Sequence, residues 1–286
     1  MKNILLTGSS GFIGKNLLRN LVSSNFFVYA IGRKKPNFRH LNFKFIKYDL
    51  KKKIILKKIR KIQCIIHTAA ISPENNITER KMLKYNFLTT KNIIDYAKKN
   101  KILKFIFLSS ISIYGKIDVP TLSENTRIKN PSAYGLSKLK NEEYIKKSNL
   151  SSISIRLPGV VGKLSKRNLL TRILKSKKKI IIAYNKNELF NNVIHVDNLS
   201  NFIIELCNKK FKRGNIPVLV SSKKPIHFKK VMNILAKTKK IKYIKKLKNS
   251  FVINNNLAIK KFKFKPWSTI YSLKKFVMEN SKWKKL

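Results

Sequence analysis

Met1-Lys2-Asn3-Ile4-Leu5-Leu6-Thr7-Gly8-Ser9-Ser10-Gly11-Phe12-Ile13-Gly14 is the stretch that decides the fold. The apolar run Ile4–Leu6 has the length of a buried strand. Three glycines follow, at Gly8, Gly11 and Gly14, and an apolar helical pattern continues through Leu17, Leu18 and Leu21. A strand, a glycine turn and a helix in that order make a corner for phosphate. Residues without Cβ let backbone N–H groups approach the anion, and the helix N-terminus adds partial positive charge. A glycine triplet alone carries little information. Its weight here comes from residues further along that fall into register with it.

The same alternation runs on. Strands are expected at Phe26–Ile31, Phe43–Tyr48, Ile62–His67, Phe105–Ser109 and Ser152–Leu157, with long helices over 77–100 and 133–148. Near-continuous apolar strands alternating with helices predict an α/β fold: a Rossmann-type, doubly wound parallel sheet. Beyond about residue 165 the pattern loosens. The basic stretch 166–189 contains Ile180–Ala183, residues 193–208 read as a strand and helix, and 228–239 and 272–284 read as helices. The expected organisation is a dinucleotide-binding domain over 1–165, with 190–210 packing back onto it. A smaller C-terminal substrate lobe would span 166–286.

The formal net charge of +53 over 286 residues raises a nucleic-acid reading. The distribution argues against it. Arginine occurs only ten times and lysine is spread through every segment among many Asn and Ile, as an AT-rich genome would produce. Nucleic-acid interfaces favour arginine and concentrate charge on one face, so a lysine-coated ordinary fold is expected, with no specific nucleic-acid partner. Cys64 and Cys207 lack metal spacing and read as core residues in a reducing cytoplasm; no metal site is expected. The apolar run after Lys2 is too short for a signal peptide, and no stretch reaches membrane-span length.

Ligands of such sheets bind outside the strand C-termini, where the unusual residues lie. The second strand ends Ile31-Gly32-Arg33, about twenty residues past the glycine turn, where an acid would take the ribose 2′-OH of NAD. Gly32 leaves room and Arg33 can pair with a 2′-phosphate, which favours NADP over NAD. Asp49 and Leu50 end the third strand; Asp49 suits either an adenine amino group or a cap. The fourth ends His67-Thr68-Ala69-Ala70, and there Ala69 and Ala70 let a cofactor lie close. His67 reads as a core histidine rather than a base. After the fifth come Ser109-Ser110 and Tyr114-Gly115, then Tyr134 and Lys138, one helical turn apart. A lysine ammonium, with a positively charged nicotinamide ring, would favour the phenolate and let Tyr134 exchange protons near neutrality.

Thr7-Gly8-x-x-Gly11-Phe12-Ile13-Gly14, Asp49-Leu50, His67-x-Ala69-Ala70, Ser109-Ser110 with Tyr114-Gly115, and Tyr134-x-x-x-Lys138 together resemble the extended short-chain dehydrogenase/reductases. They look like the NAD-dependent epimerase/dehydratase branch, which includes UDP-glucose 4-epimerase-like enzymes. The resemblance covers roughly residues 1–210. The stretches Arg156–Gly162 and Asn192–Asn198 resemble further landmarks. It implies that Tyr134 is the acid/base and that Lys138 binds the nicotinamide ribose and depresses the tyrosine pKa. It further implies that Ser110 holds the reacting oxygen and that Asn86 supports the site. Residues 8–14, Ser10 among them, would hold the pyrophosphate, and Pro158 would lie near the nicotinamide. It also implies a homodimer through the helices at 77–100 and 133–148, and a nucleoside-diphosphate sugar as substrate.

Three departures narrow the expectation. Dehydratases of this branch carry an Asp-Glu pair where Ile111 and Ser112 stand. GDP-fucose-forming epimerase/reductases carry a cysteine at the position of Ser112. UDP-glucose 4-epimerases place a substrate-contacting Asn where Gly159 stands. The expected activity is therefore epimerisation or ketoreduction at a sugar carbon, C4 in the first instance. The alternative is a non-catalytic NADP-binding regulatory protein on the same fold.

Overall fold

A computed structural model describes residues 1–56, 59–73, 77–166, 168–184, 186–237, 239–244 and 250–281, with Tyr184 described by its backbone alone. In chain order the strands are β1 (Lys2–Thr7), β2 (Phe26–Gly32), β3 (Phe43–Lys47), β4 (Cys64–His67), β5 (Lys104–Ser110), β6 (Thr121–Leu122), β7 (Ser151–Leu157), β8 (Gly159–Val161), β9 (Ile180–Tyr184), β10 (Leu189–Phe190), β11 (Val193–His195), β12 (Gly214–Leu219), β13 (Ile226–His227), β14 (Lys240–Ile244) and β15 (Val252–Ile253). The helices are α1 (Phe12–Ser23), α2 (Glu79–Lys99), α3 (Ala133–Lys147), α4 (Leu169–Lys175), α5 (Val196–Asn208), α6 (Phe228–Leu235), α7 (Asn256–Phe262) and α8 (Thr269–Ser281), with a 3-10 turn at Ile111–Tyr114. Of the expected helical stretches, residues 238 and 282–284 lie outside the described residues, as do 167 and 185 of the basic stretch.

The chain groups into two units. Unit 1 contains Met1–Lys116, Ile128–Arg156 and Ser200–Val218; unit 2 contains Ile117–Arg127, Leu157–Leu199 and Leu219–Leu286. Unit 1 is built on a seven-stranded sheet in the order β12-β7-β5-β4-β1-β2-β3. From β3 to β5 the pairings are parallel, and their register sets Thr7 between Ile31 and His67. The doubly wound α/β expectation is met. The strands are buried on both faces: Ile4, Leu5 and Leu6 are inaccessible, as are Phe105, Ile106 and Phe107. Each such side chain contributes about 1.5–3 kcal/mol of transfer free energy. Cys64 and Cys207 are buried free thiols, as expected of core residues, and burial raises the Cys64 thiol.

The long helices start where the sequence supplies caps. Thr78 accepts from the Lys81 N–H at the start of α2, and Ser132 from the Gly135 N–H at the start of α3. In α1 the cap position is Gly11, which has no side chain to offer, so the first N–H groups of that helix stay available to an anion.

Unit 2 is assembled from short strands. β8 pairs with β11, β9 with β14 and β6 with β15, all parallel, and β10 pairs with β13 antiparallel. Its core joins Val161, Ile173, Ile181, Val193, Val231, Met232, Leu273 and Phe276. His195 is fully buried there. Its Nε2 lies 3.1 Å from Glu279 and its ring stacks on Trp267 at 5.3 Å. His195, Asp197 and Glu279 bring three potential ligand atoms within 4.8 Å of one another. The Lys275 ammonium, 2.9 Å from Asp197, supplies the compensating positive charge.

Candidate functional site

The glycine corner works by contact. Gly8 sits at φ +72°, and a Cβ there would come within 2.4 Å of Thr68 Oγ1 and 2.7 Å of the Ala69 nitrogen. Gly14 is buried against the Gly8 carbonyl. The turn closes through Gly11 N–H to Gly8 O at 3.0 Å. β1 and β4 can thus end side by side with nothing between them but backbone.

A network that the sequence did not announce locks these strand ends. The Thr90 hydroxyl donates to the Asn86 carbonyl at 3.0 Å, so it accepts from His67 Nε2 at 3.1 Å. The ring proton of His67 is therefore on Nε2, and bare Nδ1 accepts from the Thr7 hydroxyl at 2.8 Å. That hydroxyl in turn accepts the N–H groups of Thr68 and Ala69, both at 3.1 Å. Every proton of the network, and both ring nitrogens of His67, are used. Burial, with help from the Lys138 charge, pushes His67 down to about 3, so it stays neutral. His67 is the core histidine expected.

Around this corner lies a cavity of about 480 Å³ lined by Gly8, Ser10 and Gly11, by Gly32, Arg33 and Lys34, by Asp49 and Leu50, and by Ala69, Ala70 and Asn86. Tyr48, Lys51, Thr68, Ile71, Ile77, Tyr85 and Thr89 complete the wall; no motif pointed to Lys51, Ile71, Ile77, Tyr85 or Thr89. A Cβ on Gly32 would meet no atom within 4 Å. Arg33 is exposed. Asp49 closes a turn by accepting from Lys51 N–H at 3.0 Å, and its other oxygen lies 3.5 Å from the Lys51 ammonium. Phe12 and Ile13 begin α1, half-buried and outside the cavity wall.

Asn86 is almost fully buried and acts as a clamp. Its Oδ1 accepts from Ile71 N–H at 2.7 Å, and its Nδ2 donates to Ile71 O at 3.1 Å and to Ser137 Oγ at 3.2 Å. One side chain thus ties the segment after β4 to both α2 and α3.

Ser110 ends β5 and caps the following turn. Its hydroxyl accepts from Ser112 N–H at 3.1 Å and donates to Ser112 Oγ at 3.0 Å. The first turn of α3 lies directly on this serine turn, because a Cβ on Gly135 would stand 2.1 Å from Ser112 O. Tyr134 and Lys138 are brought there with it. Lys138 is buried, donates to Leu108 O at 2.7 Å, and lies 4.7 Å from the Phe107 ring centroid and 5.7 Å from that of Tyr134. Burial lowers its ammonium to about 8, Glu142 partly opposing the change. Burial raises the Tyr134 phenol to about 12, opposite to the direction expected from Lys138 and a nicotinamide together. Among the chain's own groups desolvation sets the direction, and a positive charge brought close to the phenol would oppose it. Pro158 lies in unit 2, between β7 and β8.

The sequence profile of the NAD dependent epimerase/dehydratase family matches residues 4–215. The chain belongs to that family. The match takes in the glycine corner, the serine turn and the Tyr134–Lys138 pair. Among relatives of this epimerase/dehydratase chain, a protein of Methanocaldococcus jannaschii, provisionally named UDP-glucose 4-epimerase, is 34% identical over 154 residues. That alignment covers 51% of this chain and 50% of the relative, so the chain spans about half the relative's length. The UDP-N-acetylglucosamine 4-epimerase of Methanobrevibacter ruminantium, solved with UDP-N-acetylmuramic acid, superposes with TM-score 0.84 at 20% identity, over 99% of both chains. The UDP-glucuronic acid 4-epimerase of Bacillus cereus, solved with NAD, gives TM-score 0.81 at 21% identity, over 98% of this chain and 99% of that one. At such identity these two establish the fold.

Proposed function

We propose that the protein is an NAD(P)-dependent epimerase or ketoreductase acting on a nucleoside-diphosphate sugar, with hydride transfer at a sugar carbon, C4 in the first instance. One observation carries the reading: α3 rests on the serine turn through Gly135, gathering Ser110, Tyr134 and Lys138 within the same unit as the glycine-cornered cavity. The family match and the sugar-nucleotide epimerases among the similar structures support it.

The residues fit a dinucleotide. Gly8, Ser10, Gly11 and the uncapped start of α1 suit its pyrophosphate, with Phe12, Ile13 and Gly14 shaping the helix start. Ala69 and Ala70 admit a flat group, and Asp49 and Leu50 stand at the adenine end. A bound nicotinamide would exchange hydride with the sugar carbon, and in its oxidised form would add the positive charge that lowers the tyrosine. Tyr134 holds its proton at neutral pH on the chain's own account, the form that donates to a carbonyl oxygen becoming an alcohol. Ser110 exchanges its bond to Ser112 for one to that oxygen. Lys138 keeps positive charge beside the phenol, and Asn86 fixes the wall. The reading includes a homodimer through α2 and α3, which sedimentation equilibrium checks.

Tyr134→Phe should lower turnover with sugar nucleotide by about a thousandfold or more, the scale of a lost positioned proton donor, while dinucleotide binding persists. Turnover near that of the parent protein overturns the assignment. NADP is the preferred cofactor, because Arg33 and Lys34 line the cavity beside the open position at Gly32. Arg33→Ser should cost NADP affinity about tenfold relative to NAD, as loss of one charge-assisted pair would. An unchanged ratio in a titration of both cofactors assigns the 2′ position elsewhere.

A further inference from the structure

β9 and β14 form a two-stranded parallel sheet in unit 2 whose two faces differ. Ile181 and Ala183 turn into the core, with Ile241 and Tyr243 packed beside them. The other face is open: Ile180 is 51% exposed, Ile182 56% and Ile244 41%. Register sets Lys240 beside Ile180 and Lys242 beside Ile182, both lysines exposed. Each outward isoleucine on β9 thus has an ammonium-tipped aliphatic stem for a neighbour. Exposed Lys177, Lys178 and Lys179 lead into β9, and Lys237 precedes β14. Lys239 is used differently: it donates to Ile173 O and Ser176 O and so pins the approach to β9.

Charge along the two stretches of chain that supply this sheet is of one sign. No Asp or Glu occurs from residue 144 to 187 or from 206 to 278, the stretches that contain both strands. Lys91, by contrast, pairs with Asp95 on the surface of α2. A β-branched aliphatic row facing water is unfavourable unless something covers it. A second copy would press lysine on lysine. Nucleic-acid interfaces favour arginine, and among the described side chains this face has none.

We propose that the outward face of the β9–β14 sheet docks the protein on an anionic lipid surface. Isoleucines would enter the boundary between headgroups and acyl chains while the lysines meet lipid phosphates, the arrangement of interfacial amphipathic elements.

The test is co-sedimentation of the whole protein with vesicles of phosphatidylcholine alone or mixed with phosphatidylglycerol. The protein should bind only the mixed vesicles. Ile180→Thr with Ile182→Thr keeps β-branching and net charge and should weaken binding by about tenfold or more, as lost apolar burial requires. Lys240→Gln with Lys242→Gln should weaken it by about fivefold per lysine. The same change at exposed Lys146 and Lys147, at the end of α3, should weaken it less. Should the threonine pair lower the melting temperature, Ile244→Thr alone reads the same face. The proposal is overturned if the threonine variants bind vesicles as the parent does, leaving only diffuse lysine charge. It is equally overturned if the parent ignores vesicles and binds duplex RNA.

Discussion

Gly8 shows how much one missing atom decides. Its positive φ and its contacts with Thr68 and Ala69 both exclude a side chain. Gly8→Ala should destabilise the protein by about 1–3 kcal/mol, from left-handed strain and forced separation of β1 from β4. Urea unfolding measures that, and a loss below the range would mean the corner relaxes. The glycines were legible because a backbone conformation leaves its mark on residue type. Thr7 was not. Its hydroxyl is the hub of the strand-end network, yet a threonine at a strand end has many other uses, and only the placement of His67 and Thr90 gives it this one. The site residues named from sequence split the same way: Gly8, Ser10, Gly11, Arg33, Asp49, Leu50, Ala69, Ala70 and Asn86 share a cavity wall. Tyr134 and Lys138 are brought instead to the serine turn.

At the scale of elements, β7, α3 and the turn after β5 are joined by a buried polar triad. Arg156 donates through Nε and Nη2 to Glu142, at 3.2 and 2.8 Å, and through Nη1 to the Tyr114 hydroxyl at 2.7 Å. Arg156 and Tyr114 came from the sequence only as family landmarks and Glu142 not at all, because nothing in spacing marks an ion pair between a strand and a helix. Arg156→Met should cost about 3–5 kcal/mol, since it strands the Glu142 carboxylate in the core. Adding Glu142→Gln should recover much of that loss in chemical denaturation, and a double variant no better than the single would place the cost in packing. The long elements of unit 1 were readable from apolar periodicity. The seventh strand, β12, was missed, as were two-residue pieces such as β6 and β15. Their pairing joins residues about 130 positions apart, and so short a strand has no period to detect.

For the molecule as a whole, buried Lys138 ties stability to pH. Its folded pKa of about 8 lies below the ordinary value of 10.5. Between these the unfolded chain binds more protons, so stability rises with pH across that window; below about 8 the full cost of the buried ammonium remains. The gain is on the order of 3 kcal/mol. The other lysines also shed repulsion as pH rises, so the readout is a comparison. Lys138→Met should flatten the slope of unfolding free energy between those pH values, and parallel slopes would refute the buried-charge account.

The interleaving of the chain also bears on the order in which the protein is made. Residues 1–116 carry five of the seven central strands, but β7 follows at 151–157 and β12 only at 214–219. The ribosome adds about 5–20 residues per second. For several seconds, then, the nascent sheet ends at β5, with an unpaired apolar edge waiting for partners still inside the exit tunnel. Chaperone dependence during synthesis should accordingly concentrate in the interval before β7 emerges.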